Sequence, residues 1–194
     1  RQMCIRDRVT EAHSPDESGI CVCSKAYQPA VLTTDKYDMD NDGVYDKVYE
    51  ISNAAQLYWF ADKINNENYT SGNINAVLTA DIVVNDNVLK SDGTLNDGSF
   101  TDWTPIGMWA GDDKYYSYSG IFDGQNHTIS GLYLNQMRMV GCVGLFGHVG
   151  SGGKVSNVRV LDSYFSVNGG VGGVCGNNDG TCLLYTSDAA DEAR

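Results

Sequence analysis

The sequence predicts an all-β chain: a right-handed parallel β-helix (solenoid) fragment with an N-terminal capping α-helix. Three observations point there. First, a glycine phrase is written three times, as Gly120-Ile121-Phe122-Asp123-Gly124, Gly144-Leu145-Phe146-Gly147 and Gly173-Val174-Cys175-Gly176, in steps of 24 and 29. Second, Ile129-Ser130-Gly131-Leu132-Tyr133-Leu134 returns 26 positions later as Val155-Ser156-Asn157-Val158-Arg159-Val160. Periods of this size mark stacked-repeat folds, in which one unit cannot bury its apolar face alone. Third, the apolar spacing is helical in a single stretch and extended after it. A β-sandwich is the competing arrangement, because glycine-punctuated short strands serve it too; the double repeat favours the solenoid.

The elements follow in order. Residues 9–30 are polar, carry Pro15 and Pro29, and read as a linker or the end of a preceding module. Residues 31–50 alternate apolar side chains around an aspartate-rich centre, which predicts a strand, a tight loop and a second strand. Residues 51–66 form the capping helix. Ser52 or Asn53 can cap it, with Gln56 three residues after Asn53 in a capping-box arrangement. Leu57, Phe60, Ala61 and Ile64 mark one buried face, and Asn65-Asn66 with Ser71-Gly72 end the helix. Residues 67–181 carry the repeats. Within them 76–84 is rich in β-branched residues and reads as one strand. Residues 85–102, with Asp92-Gly93 and Asp97-Gly98, read as a loop off the core. Trp103-Thr104-Pro105-Ile106-Gly107 returns to apolar packing, and beyond Gly120 short strands are turned by glycine and asparagine, which tolerate positive φ. The helix is expected to cover the open end of the stack, where strand edges and apolar surface would otherwise be bare.

Both ends look foreign. Residues 1–8 resemble a translation of the transposase tag used in preparing sequencing libraries, and residues 182–194 resemble its reverse complement. The expectation is a natural segment of about 9–181, cut from a longer reading frame. The net charge of −12 is the same with or without those ends. So acidic a surface repels phosphate backbones, which argues against nucleic-acid partners. No apolar run reaches the roughly 20 residues of a membrane span. Four cysteines outside the tag-like ends, Cys21, Cys23, Cys142 and Cys175, make no disulfide framework.

The sharpest chemical signal is Asp38-Met39-Asp40-Asn41-Asp42-Gly43-Val44-Tyr45-Asp46. Alternate aspartates on a tight turn converge hard oxygen ligands on one point, and Val44 can add its carbonyl; Asp38, Asp40, Asp42, Val44 and Asp46 are therefore candidate ligands for a structural calcium. The loop departs from an EF-hand, with Tyr49 where the bidentate glutamate belongs and Glu50 one residue late. The other reading is a solvated acidic turn held by Asx hydrogen bonds. His13, Cys21 and Cys23 supply at most three zinc ligands where a structural site needs four, so they read as linker residues. Cys175 takes the place of Phe146 one coil on and is expected to point inward, without a disulfide to Cys142. Trp109, Tyr115, Tyr116 and Tyr118 cluster before the first glycine phrase. Such rings can form a sugar-binding surface or pack over the helix.

Catalysis finds little support. Lys114, Arg138, Lys154 and Arg159 are scattered. Asp81 and Asp123 could meet across coils as a hydrolase pair, but turn formation is the simpler role for each. His127 and His148 read as turn or surface residues with no serine or cysteine nucleophile beside either.

The ordered series Tyr49-Glu50-Ile51-Ser52-Asn53-Ala54-Ala55-Gln56-Leu57, Leu78-Thr79-Ala80-Asp81-Ile82, Trp103 to Gly107, and Gly120 to Leu132 resembles the start of β-helical domains in large bacterial surface proteins. Gly144-Leu145-Phe146-Gly147 through Val160 resembles the GLUG motif of those proteins and of domains attached to IgA-cleaving peptidases. The resemblance covers about 48–176. It implies an exported, multidomain, cell-surface or extracellular parent built from repeats, and supplies no catalytic residues. The expected function is a non-catalytic module for adhesion or spacing, with glycans or surface proteins as partners. The alternative is a part of a carbohydrate-active β-helix enzyme, a polysaccharide lyase or glycoside hydrolase, or a domain attached to a surface peptidase.

Overall fold

The computed structural model describes residues 26–67, 74–111 and 114–184. It is a parallel β-solenoid of about four turns with one helix at its N-terminal end. The sequence expectation of an all-β solenoid holds.

The stack begins with β1 (Val31–Thr33) and β2 (Val48–Ile51), antiparallel on either side of the aspartate-rich loop. Helix α1 (Ala54–Glu67) follows. Asn53 caps it: its Oδ1 accepts from Gln56 N–H at 3.0 Å, while the Gln56 side chain reaches back to Ser52 N–H at 2.8 Å. Leu57, Phe60, Ala61 and Ile64 are buried, as their spacing predicts. The first coil comprises β3 (Asn75–Leu78) and β4 (Ile82–Val83), with a corner at Thr79-Ala80-Asp81. The apolar run 76–84 is thus two strands on two faces, not one strand. A β-helix coil must bend where a sheet would continue. The hairpin β5 (Trp109–Gly111) and β6 (Lys114–Tyr115) leads into the second coil. That coil is β7 (Ile121–Asp123), β8 (Thr128–Ser130), β9 (Tyr133–Val140) and β10 (Phe146–Val149). The third is β11 (Lys154–Ser156), β12 (Arg159–Leu161), β13 (Tyr164–Asn168) and β14 (Cys175–Asn178). β15 (Thr181–Leu183) opens a fourth. It runs two residues past the expected repeat boundary, setting Cys182 beside Val155 on β11.

The faces stack as parallel ladders: β2-β3-β7-β11-β15, β4-β8-β12, β9-β13 and β10-β14. Their register corrects the period read from the phrases. Ile129 pairs with Val160, and Val155 pairs with Phe122. The coil steps at these two faces are therefore 31 and 33, not 26. Ile129-Ser130-Gly131 and Val155-Ser156-Asn157 lie on different faces. They look alike because each is a short strand running into a corner built on a left-handed residue, Gly131 (φ 76°) or Asn157 (φ 53°). Only the last glycine phrase keeps true register, with Phe146 opposite Cys175 as expected.

Inward residues form one core. Phe122 meets Phe60 of α1 (centroids 6.3 Å) and Phe146 (5.2 Å); Tyr118 meets Phe60 (6.1 Å) and Phe146 (5.1 Å). Trp103 is buried with its indole N–H on Gly144 O at 3.0 Å. The segment 85–102 is not wholly off the core. Val88 is buried, and its N–H and that of Leu89 donate to the two oxygens of Asp162 on the third coil. At the corner of β8 the backbone passes so close to Asn85 that a Cβ on Gly131 would lie 1.8 Å from Asn85 O, so only glycine fits.

Asn65 was expected to end the helix. Instead it is buried and ties α1 to the returning segment: its Nδ2 donates to Pro105 O at 3.0 Å and its Oδ1 accepts from Gly107 N–H at 2.9 Å. Removing both bonds leaves two buried backbone groups unpaired, at about 1–3 kcal/mol each. Asn65→Ala is therefore expected to lower the urea midpoint markedly, while Asn66→Ala, on the exposed side of the same turn, leaves it within error.

Candidate functional site

Three polar groups on the outside of the solenoid carry the chemistry. The first is the loop between β1 and β2. Asn41 (φ 62°) and Gly43 (φ 87°) take the left-handed conformation and turn the chain tightly. One oxygen from each of Asp38, Asp40 and Asp42 lies within 4.8 Å of the others. The carboxylates also hold the turn: Asp38 accepts from Asp42 N–H (3.1 Å) and Gly43 N–H (3.0 Å), and Asp42 accepts from Val44 N–H (2.8 Å). Asp46 points elsewhere, its Oδ2 on Met39 N–H at 2.8 Å. At the base of the loop Lys36 and Tyr37 both donate to Glu50 Oε1, and the Lys36 contact above all holds the Glu50 carboxyl below the usual carboxylate range. Of the five expected ligands, three therefore converge as side chains.

The second group is the corner ladder at the ends of β3, β7 and β11. Asp81 Oδ1 accepts from Thr128 N–H at 2.8 Å and lies 3.2 Å from His127 Nδ1. The Thr128 bond first, then His127, lowers the Asp81 pKa. Asp123 Oδ1 accepts from Gln125 N–H and from Asn157 Nδ2, each at 2.9 Å. Both aspartates thus have turn-forming partners, the simpler of their two expected roles, and His127 sits in a turn as read.

The third group corrects the expectation for His148. A serine does lie beside it: Ser117 Oγ is 2.7 Å from Nδ1, and Asp179 Oδ2 is 2.8 Å from Nε2. The three sit on successive coils, each 31 residues from the next. A repeat step of 24–29 never aligns 117 with 148 and 179, so the sequence pattern does not bring the three together.

The aromatic cluster also changes. Tyr118 is fully buried, its ring against Phe60 and Phe146 and its hydroxyl donating to Ile74 O at 2.9 Å; burial pushes that hydroxyl's pKa well up. It belongs to the core and to the packing over α1, not to an exposed ligand surface. Tyr116 is half-buried, with its N–H on Met108 O. Trp109 and Tyr115 are described in their backbone only, as partners in the β5–β6 hairpin. An aromatic row that the sequence did not suggest runs along the outer face of β9 and β13. Tyr133 stacks on Tyr164 (6.1 Å, 22° between planes), and Phe100 tilts onto Tyr133 at 5.1 Å.

Cys175 Sγ–H donates to Cys182 Sγ at 3.4 Å, which pushes the Cys175 pKa up and brings Cys182 down to about 7. Cys175 packs against the core, as its register with Phe146 implies. His13, Cys21 and Cys23 lie outside the described residues.

No family model and no solved structure matches the chain. Two curated proteins are similar to it. Halomucin from Haloquadratum walsbyi is 34% identical over 146 residues, which is 75% of this chain and 2% of halomucin. A protein described as a Gly-rich membrane protein, from Evansella cellulosilytica, is 33% identical over 81 residues, 40% of this chain and 9% of that protein. The chain thus spans a small part of either relative. Among the described residues no helix is long and apolar enough to cross a membrane.

Proposed function

We propose that the chain is a segment of a long exported surface protein, in which stacked coils act as a stiff module for spacing and for presenting ligand surfaces. The observation that carries this reading is the alignment of three quarters of the chain with a short stretch of halomucin, and of a smaller part with the protein described as a Gly-rich membrane protein. The solenoid supports it, because each coil rests on its neighbours alone and the number of coils sets the reach. The resemblance to GLUG-type surface repeats points the same way. The acidic charge suits a solvent-facing role, and the outer row of Tyr133, Tyr164 and Phe100 offers flat rings of the kind sugars stack on.

The test has two arms. An antibody raised against residues 26–184 should label intact cells of the source organism, and the purified chain should bind members of a glycan array more weakly after Tyr133→Ala. Labelling only after lysis would overturn the location, and array binding indifferent to Tyr133 would overturn the ligand surface.

Calcium at the β1–β2 loop is the finer part of the proposal. The convergence of Asp38, Asp40 and Asp42 on the ends of a tight turn supports it, since three carboxylates that close repel one another without a counter-ion. The carbonyl of Val44 and, after rotation, Asp46 would complete a set of oxygen ligands. The role is structural, holding β1 on β2. Calorimetry should give a heat of calcium binding that Asp40→Ala with Asp42→Ala abolishes, and calcium should raise the melting temperature of the parent chain alone. Absence of heat, with melting unchanged by calcium, would leave the loop as a turn.

A further inference from the structure

Residues 117, 148 and 179 face outward because their neighbours face in. Tyr118 bridges to Val149 in parallel, Val149 pairs with Asn178, and the Tyr118 and Val149 side chains are both fully buried. Alternation then places Ser117 and His148 on the outer surface, with Asp179 entering from the third coil. The His148 side chain is only 13% exposed, whereas that of Asp179 is 60% exposed. The imidazole is therefore largely enclosed between the Ser117 hydroxyl and the Asp179 carboxylate, while the carboxylate itself stays open to water.

The geometry sets the tautomer. With the Asp179 carboxylate oxygen 2.8 Å from Nε2 as acceptor, the fitting tautomer carries its N–H on Nε2 and turns the Nδ1 lone pair to Ser117. At 2.7 Å the Ser117 hydroxyl donates to that lone pair. A serine hydroxyl on a histidine nitrogen, with the far nitrogen oriented by an aspartate, is the arrangement that activates a serine as a nucleophile. The nitrogens are used in the opposite sense to the commonest triads, which changes the direction of approach and leaves the proton transfer intact. A glycine keeps the surface beside the hydroxyl clear. A Cβ on Gly150 would press on Ser117 Cβ at 3.0 Å and lie in ordinary contact with its Oγ at 3.7 Å.

We propose that Ser117, His148 and Asp179 form an acyl-transfer site on the outer face of the solenoid, acting on small neutral carboxylic esters. Ser117 is the nucleophile, His148 the general base, and Asp179 the positioning residue. Ser117 Oγ bonds to the carbonyl carbon while its proton passes to His148 Nδ1. Collapse of the tetrahedral species breaks the bond to the alkoxy oxygen, which leaves as the alcohol with the proton from Nδ1. Water then adds to the acyl-serine, its proton goes to Nδ1, and the carboxylic acid leaves as Ser117 regains the hydrogen. The negative surface favours uncharged acyl groups over phosphate esters. This goes beyond the surface-module reading and does not depend on it.

The test is covalent labelling of the full 194-residue chain with an uncharged fluorophosphonate, followed by peptide mapping, together with p-nitrophenyl acetate turnover. A phosphonyl adduct on Ser117 is expected, with fluoride lost. His148→Ala should slow labelling at least about 100-fold, the lower end of general-base contributions. Asp179→Asn should slow it at least about tenfold, because the amide stabilises the wrong tautomer. Ser119→Ala should leave it unchanged. Should His148→Ala fail to fold, the exposed Asp179→Asn and the parent adduct map decide alone. No adduct at Ser117, or labelling there that neither folded variant slows, overturns the proposal and leaves the three residues as a polar ladder joining coils.

Discussion

Phe122 pairs with Ala76 on one side and Val155 on the other, and its ring meets Phe60 of α1 and Phe146 of the next face. A solenoid has no closed core; each coil buries its apolar face only against the coils above and below. The first coil therefore needs something else beneath it, and Phe60, Leu57 and Ile64 of α1 supply it. Truncating a buried phenylalanine typically costs about 3–5 kcal/mol. Here that loss would fall where helix and first coil meet, so it would uncouple the end cap and the ladder together.

Outside the core, side chains link one coil to the next. Asn75 Oδ1 accepts from Ile121 N–H, Asp81 spans to Thr128, Asn157 to Asp123, and Ser117 to His148 to Asp179. Each bond joins residues roughly one coil apart, so each forms only once the register is set. This couples chemistry to architecture: a polar group placed on three successive coils becomes a line of three side chains at contact distance, on a scaffold too stiff to disperse them.

The fold class, the capped helix and its buried face were legible in the sequence because they rest on local spacing: Asn53 before Gln56, and Leu57, Phe60, Ala61 and Ile64 on one side. The inward place of Cys175 was legible too, since its glycine phrase is a true coil repeat. The coil length was legible only at that last glycine phrase, whose step of 29 is a true one. Corners built on Gly131 and Asn157 repeat within a coil as well as between coils, and they imitate a shorter period. That error concealed the alignment of Ser117, His148 and Asp179. Nor could local pattern decide which of the two roles open to the aromatic cluster Tyr118 takes, or reveal that Asn65 serves as a buried tie; both follow from partners some 40 residues away.

The register is the most consequential claim, and a cross-link reads it directly. Ser130 and Leu161 are opposed on β8 and β12, within the Cα spacing that a disulfide spans. Ser130→Cys with Leu161→Cys should give, on mild oxidation, a peptide joining positions 130 and 161, while Ser130→Cys with Ser156→Cys should give no such link. A 130–156 link in its place would mean that the coils step by 26 residues, and would contradict both the stacking and the outer site built on it.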